Sequence, residues 1–178
     1  AKETAHQIGT PLSSLVGWAE LLKSEDIPKN YITEIENDIN RLKKITDRFS
    51  KIGSAPTLSP MDIVALTKET CGYLKSRSSN LIAFDIDLPD TSILVALNAE
   101  LFSWTLENLV KNGIDAMRGQ GTISIRMSSQ NKRVLLHISD SGKGIPKKHF
   151  NKIFRPGFTT KKRGWGLGLS LARRIVED

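Results

Sequence analysis

Three groups of residues in this 178-residue chain have types and spacings suited to chemistry. The first is His6-Gln7-Ile8-Gly9-Thr10-Pro11-Leu12, near the start. An imidazole is a nucleophile near neutral pH, so an exposed one can accept an incoming phosphoryl group. The second is Asn108-Leu109-Val110-Lys111-Asn112, whose two asparagines stand four apart and share a helix face. Amide oxygens are hard, neutral ligands, suited to Mg²⁺ that keeps some of its waters and bridges phosphates, and Glu107 and Asp115 add carboxylates close by. The third is a pair of glycine clusters, Asp140-Ser141-Gly142-Lys143-Gly144-Ile145 and Gly164-Trp165-Gly166-Leu167-Gly168-Leu169. An aspartate at a strand end can accept a hydrogen bond from an adenine amino group, and glycines let the backbone come close to a base. Glycines opening a helix leave N–H groups free to cradle phosphates at its positive end.

Each group also has a plainer reading. A lone histidine can be an ordinary surface residue, two asparagines can be a solvated helix face, and DxGxG can be a simple turn. The glycine run 164–168 is not a Walker loop, since no GK[ST] closes it, nor a Rossmann fingerprint, since no strand runs directly into it. A metal site on histidine is disfavoured because His137 and His149 lie far from His6 and no cysteine pair exists. Between the clusters, Phe154-Arg155-Pro156-Gly157-Phe158-Thr159-Thr160-Lys161-Lys162 resembles a mobile lid, with Phe154 and Phe158 as anchors and the lysines turned to phosphates.

These groups need elements to position them. Residues 1–52 have helical periodicity: Ile8, Leu12, Leu15, Ala19 and Leu22 step by four and three, as do Ile32, Ile35, Ile39, Leu42, Ile45, Phe49 and Ile52. The polar break Ser24–Pro28 separates two helices, and Gly53-Ser54-Ala55-Pro56 ends the second. His6 lies about 200° around the first helix from Ile8, so it points away from the seam, and Thr10 shares its face. Pro11 removes the partner of the Gln7 carbonyl, so a bend is expected there. Two helices with one narrow stripe each bury too little to stand alone; pairing with a second copy into a four-helix bundle, hence a homodimer, is expected.

Beyond the linker, placed at 54–60, the period changes. Helices are expected at Met61–Leu74, Ala99–Met117, Lys147–Ile153 and Leu167–Val176, and strands at Ala83–Leu88, Ile93–Ala96, Thr122–Ser128 and Arg133–Ser139. This interleaving gives an α/β sandwich over 61–178, one sheet covered by helices on one face. The fold class is therefore a helical hairpin (1–53) followed by an α/β domain.

Composition narrows the partners. The chain is 39% hydrophobic and 25% charged, enough apolar material for a core. The single Cys71 excludes an intrachain disulfide and fits a reducing, cytoplasmic setting. No apolar run reaches the roughly 20 residues of a membrane span, so no membrane contact is expected of this region, even where a longer protein is anchored. The net charge of +7 is concentrated from Lys143 to Arg174, beside the glycine clusters. A polyphosphate ligand or an acidic partner explains that placement. Nucleic acid does not, since no recognition helix or aromatic stacking pattern accompanies it.

In order and spacing, these motifs resemble the core of a sensor histidine kinase from two-component signalling, over essentially the whole chain. The resemblance implies a dimerisation and phosphotransfer hairpin followed by a gyrase/Hsp90/MutL-type ATP-binding domain, with ATP and Mg²⁺ as cofactors. It implies that His6 takes the γ-phosphoryl group of ATP and passes it to an aspartate of a response-regulator receiver domain, with phosphatase activity toward that partner also expected. The residue after the phosphoacceptor is commonly Glu or Asp; here it is Gln7, which can orient the imidazole but not accept its proton. Thr10 matches the position that orients water for dephosphorylation. Asn112 would hold Mg²⁺, with Asn108 and Lys111 near the phosphates, and Asp140 would read adenine. Gly142, Gly144, Ile145, Phe154, Thr160, Lys161, Gly164, Gly166, Leu167, Gly168 and Leu169 would shape the pocket and lid. Where many relatives carry Lys this chain has Asp115, so a cation must come from Lys111 or the lid lysines. Relatives continue with two further strands after the last glycine motif, so the domain is expected to be incomplete at its C-terminal end. Two other classes stay open: a nucleotide-binding dimeric scaffold that docks a response regulator without phosphorylating itself, and a plain ATPase.

Overall fold

The computed structural model describes residues 2–23, 25, 28, 30–40, 42, 57–131, 133–161 and 166–177, with backbone alone for 2–11. The chain divides into two compact units, Ala1–Pro56 and Thr57–Asp178.

The first unit holds α1 (Lys2–Leu22), which runs through Pro11, and α2 (residues 30–40). Their stripes meet: Leu12, Ala19 and Ile39 form a buried cluster with Leu42 packed on it, and Ile32 is buried as well. Leu15 and Ile35 lie on the same stripes yet remain exposed, and Trp18, Leu21 and Tyr31 beside them are more exposed still. Lys23, just past α1, pairs with Glu20 at 2.9 Å and with Glu36 of α2 at 2.7 Å. Hydrogen bonds to Glu36 and then Glu20 push the Lys23 pKa up to about 12. The expected seam positions Ile8, Ile45, Phe49 and Ile52, as side chains, lie outside the described residues, as do linker residues 54–56.

The second unit begins with β1 (Ser59–Asp62), followed by α3 (Ile63–Ser76), β2 (Ile82–Asp87), β3 (Leu94–Leu97), α4 (Ala99–Ala116), β4 (Gly121–Gln130), β5 (Arg133–Asp140), a 3₁₀ turn at Lys147–His149 and α5 (Gly168–Glu177). Ser59 and Pro60, read from sequence as linker, therefore open a strand. Met61 and Asp62, read as helix, complete it. Asp62 decides this boundary. Its carboxylate accepts from the Val64 N–H at 3.0 Å, capping α3, and from the Ile93 N–H at 3.3 Å, tying the cap to the residue before β3. Burial opposes the charge on Asp62, but hydrogen bonds from Ser92, Ile93, Ala65 and Val64 outweigh it and hold the carboxyl below its ordinary value. That contribution is present above the ordinary carboxylate range and is lost as pH falls through the lowered pKa.

The expectation of a single sheet is corrected. β1 and β3 form a separate antiparallel pair, while β2, β4 and β5 form a three-stranded sheet with β2 parallel and β5 antiparallel to the central β4. β2 to β5 match the expected strands and β1 does not, and the pairing is a long-range property that alternation does not encode. On β4, Ile123, Ile125 and Met127 are buried, while Ser124 and Arg126 between them face Asp85 of β2 on the outer side. This is a one-face sheet with period two. The buried face meets Leu106 and Val110 of α4 and Cys71 and Leu74 of α3. Burial pushes the Cys71 thiol up to about 11, so it stays protonated and packs as a small apolar group. The helix expected at Lys147–Ile153 is instead a 3₁₀ turn at Lys147–His149, with bonds three residues back such as His149 N–H to Pro146 O at 2.8 Å and Phe150 N–H to Lys147 O at 3.2 Å.

Candidate functional site

α4 is the platform. Leu106 and Val110 turn its apolar side to the core, and Asn108, Asn112 and Asp115 lie within about 60° of one another on the opposite side. The helix lies hard against the sheet at Gly113, where an added Cβ would stand 2.8 Å from Ile123 Cδ1 and 2.9 Å from Asp140 Cβ. Only glycine permits that approach, which brings the residue after Asn112 against Asp140 at the end of β5.

The Asp140 carboxylate is held by its own turn: Oδ1 accepts from the Gly142 N–H at 2.9 Å. The turn is anchored to neighbouring elements. Ser141 N–H donates to Thr122 O at 3.1 Å, the Thr122 N–H donates to Ser141 Oγ at 3.0 Å, and Lys143 N–H reaches Ala116 O at the end of α4. Gly144 and Ile145 follow in the same loop, with Ile145 half exposed.

At the other end of the Asn face lies α5. Gly168, its first residue, is so close to Asn108 that a Cβ there would overlap the amide oxygen. The Asn108 Nδ2 is buried with no hydrogen-bond partner among the described residues. A buried amide donor left unpaired costs free energy, which a hydrogen-bond acceptor arriving beside the α5 N-terminus would recover. Leu167 and Leu169 flank Gly168 and are partly buried.

The segment from Phe154 to Lys161 forms a strap. Gly157 N–H donates to Gly166 O at 3.0 Å, Phe158 packs its ring 5.3 Å from that of His149, and the Arg173 guanidinium of α5 lies 5.5 Å from the Phe154 ring centre. Thr160 precedes Lys161, whose ammonium lies 2.7 Å from Asn112 Oδ1 and 2.6 Å from Asp115 Oδ2. The cation facing this end of the Asn face is thus Lys161, whereas Lys111 pairs with Glu107 one turn back along α4.

The donor set fits a hard divalent cation. Asn112 Oδ1 beside the Asp115 carboxylate already draws an ammonium, and among the described residues no group of three His, Cys, Asp or Glu offers a rival site. A cation held by so few protein oxygens would complete its shell with phosphates and water.

His6, Gln7 and Thr10 lie on α1 in the other unit; their side chains, and with them the expected outward imidazole, lie outside the described residues. So does Gly164. The residues that sequence reasoning missed are His149 and Arg173, which support the strap aromatics. Nothing in their local sequence marks them, since each acts by meeting a ring from another segment.

No helix among the described residues is long and apolar enough to cross a membrane. The family model for the His Kinase A (phospho-acceptor) domain matches residues 1–55, and that for the histidine kinase-, DNA gyrase B- and HSP90-like ATPase matches 98–178. Sporulation kinase D of Bacillus subtilis is 28% identical over 99% of this chain and 36% of its own length. The sensor histidine kinase ZraS of Salmonella typhimurium is 32% identical over all of this chain and 40% of its own. The chain thus spans well under half the length of these curated relatives. Among solved structures, the catalytic domain of histidine kinase ThkA is 30% identical with a TM-score of 0.62, over 67% of this chain and 80% of that one. ThkA in complex with response regulator protein TrrA is 28% identical with a TM-score of 0.65, over 98% of this chain and 53% of that one. With both regions matched and the strand, turn and helix order of the site in place, the chain belongs to the two-component sensor histidine kinase family.

Proposed function

We propose that the chain is the core of an ATP-dependent protein-histidine kinase that phosphorylates His6 and passes the phosphoryl group to an aspartate of a response-regulator receiver domain. The observation that carries this reading is the convergence on α4 of the Asp140 turn, the Asn108 and Asn112 amides and the α5 N-terminus within one unit. Asp140 is assigned to the adenine amino group, through the carboxylate oxygen that Gly142 leaves free. Asn108, the backbone at Gly166–Gly168 and the strap lysine are assigned to the phosphates, and Asn112 to Mg²⁺. Bound there, Mg²⁺ would neutralise charge on the β- and γ-phosphates.

ATP is the substrate of the first step. A ring nitrogen of His6 forms a bond to the γ-phosphorus, the bond from that phosphorus to the bridging oxygen breaks, and ADP departs with the electron pair. The attacking nitrogen uses its lone pair, and the proton on the other ring nitrogen passes to solvent, since the neutral Gln7 amide orients a ring but does not take its proton. In the second step a receiver carboxylate takes the phosphoryl group and the imidazole is restored. Thr10 is assigned to holding water for the reverse traffic, dephosphorylation of the regulator. The open halves of the two hairpin stripes support a homodimer. The proposed dependence on ATP and a receiver domain supports a cytoplasmic location for this region.

Incubation with γ-labelled Mg·ATP should give an acid-labile label that maps to the His6 peptide, and His6→Ala should abolish it. Label surviving that substitution ends the proposal. Gln7 keeps a second reading in play, a dimeric scaffold that binds nucleotide and docks the regulator. Nucleotide binding without phosphohistidine in the intact protein would decide for that one. Thr10→Ala should slow regulator dephosphorylation more than it slows labelling, and equal losses would remove Thr10 from that role.

A further inference from the structure

Lys161 and Asp115 stand 46 residues apart in sequence and meet at the oxygen assigned above to the divalent cation. Of the two groups that receive the ammonium, Asn112 is neutral, so the attraction comes from Asp115. The strap has no acid of its own to hold Lys161: between Ser141 and Val176 the sequence contains ten Lys and Arg but no Asp or Glu. Both partners are substantially exposed, 42% for the Lys161 side chain and 57% for Asp115. Such a pair is weak enough to be exchanged for a ligand.

We propose that Asp115 is a positioning residue that latches Lys161, and with it the strap Phe154–Lys161, onto Asn112 in the nucleotide-free protein. The inference deepens the kinase reading and rests on its assignment of Asn112 to the metal. Asn112 Oδ1 serves the ammonium in one state and the divalent cation in the other, so Mg²⁺ arriving with nucleotide competes with an internal cation. The displaced ammonium is then free to turn to the anionic phosphates. Asp115 thereby works through the lid lysine: it sets where Lys161 waits.

Strap backbone amides report the latch directly. Gly157 N–H is bonded to Gly166 O, Phe158 N–H to Arg155 O at 3.1 Å, and Lys161 N–H to Thr159 Oγ1 at 3.1 Å. Hydrogen exchange of the nucleotide-free chain should show these amides exchanging about two- to fivefold faster in Asp115→Asn, with the β4 amides unchanged. Reversing the pair, Asp115→Lys with Lys161→Asp, should restore strap protection even though the phosphate-facing cation is gone. Adding Mg²⁺ with a non-hydrolysable ATP analogue should erase the difference between native and Asp115→Asn straps, because the latch is then open in both. Equal exchange in the nucleotide-free proteins, a reversed pair that fails to protect, or a difference that persists with Mg²⁺ and analogue would each overturn the proposal. Failure to label His6 would overturn the kinase reading and leave these exchange rates as they are.

Discussion

In the hairpin unit, Leu12, Ala19, Ile32 and Ile39 are buried while Leu15 and Ile35, on the same stripes, face solvent. In the α/β unit, Leu106, Val110, Ile123 and Ile125 are closed off entirely within one chain. A sheet with one apolar face is covered once two helices lie on it, so the second unit completes its core alone. Two helices cover only part of each stripe: Leu15 and Ile35 stay exposed among the described residues, which is the basis of the proposed dimer. One unit thus closes its core within the chain and holds the proposed nucleotide site, and the other leaves part of each stripe exposed and carries the proposed phosphoacceptor.

The largest effect should come from the closed core around Ile123. Ile123→Ala should destabilise the second unit by about 3 kcal/mol, read as a shift in its chemical unfolding midpoint. A loss below about 1 kcal/mol would mean that this core is no better closed than the hairpin's. Next comes the open seam. Leu15→Glu should weaken the proposed dimer about a hundredfold in sedimentation or light scattering, because a carboxylate would be desolvated there, and should leave the second unit's unfolding untouched. A dimer of native strength would place the contact elsewhere.

At the site, Asp140→Asn should lower ATP affinity about ten- to hundredfold by calorimetry, since a charge-assisted acceptor is lost while the turn to Gly142 is kept. Unchanged affinity would leave Asp140 as a turn former only. The smallest effect belongs to Lys23, whose raised pKa means its stabilising contribution is whole below about pH 10.5 and disappears as pH climbs through about 12. The gap in hairpin stability between native and Lys23→Met should therefore be small, constant at neutral pH, and closed above pH 12. A gap that grows with alkali would contradict the Glu20–Lys23–Glu36 pairing.

Much of this molecule is legible locally. The stripes at Leu12, Ala19, Ile32 and Ile39, the β4 alternation and the long α4 follow from periods of 3.6 and two, which any stretch of chain carries in itself. The glycine clusters and asparagine pair are equally local, and their order along the chain is what ties it to its family. Boundaries failed where a side chain reached across the fold, as at Asp62, whose carboxylate binds Val64 and Ile93 together and turns Met61 from expected helix into strand.

Sequence by itself determined the type of most elements, β1 excepted, and the two-part organisation, and it nominated the groups proposed to do chemistry, because each rests on neighbours within a few residues. Tertiary structure decided that β1 pairs with β3 apart from the main sheet and that Gly168 abuts Asn108. It also chose Lys161 over Lys111 as the cation facing Asn112 and Asp115. Those outcomes depend on which surfaces fit once the core has closed, and residues 46 apart feel each other only after packing has brought them within hydrogen-bond reach.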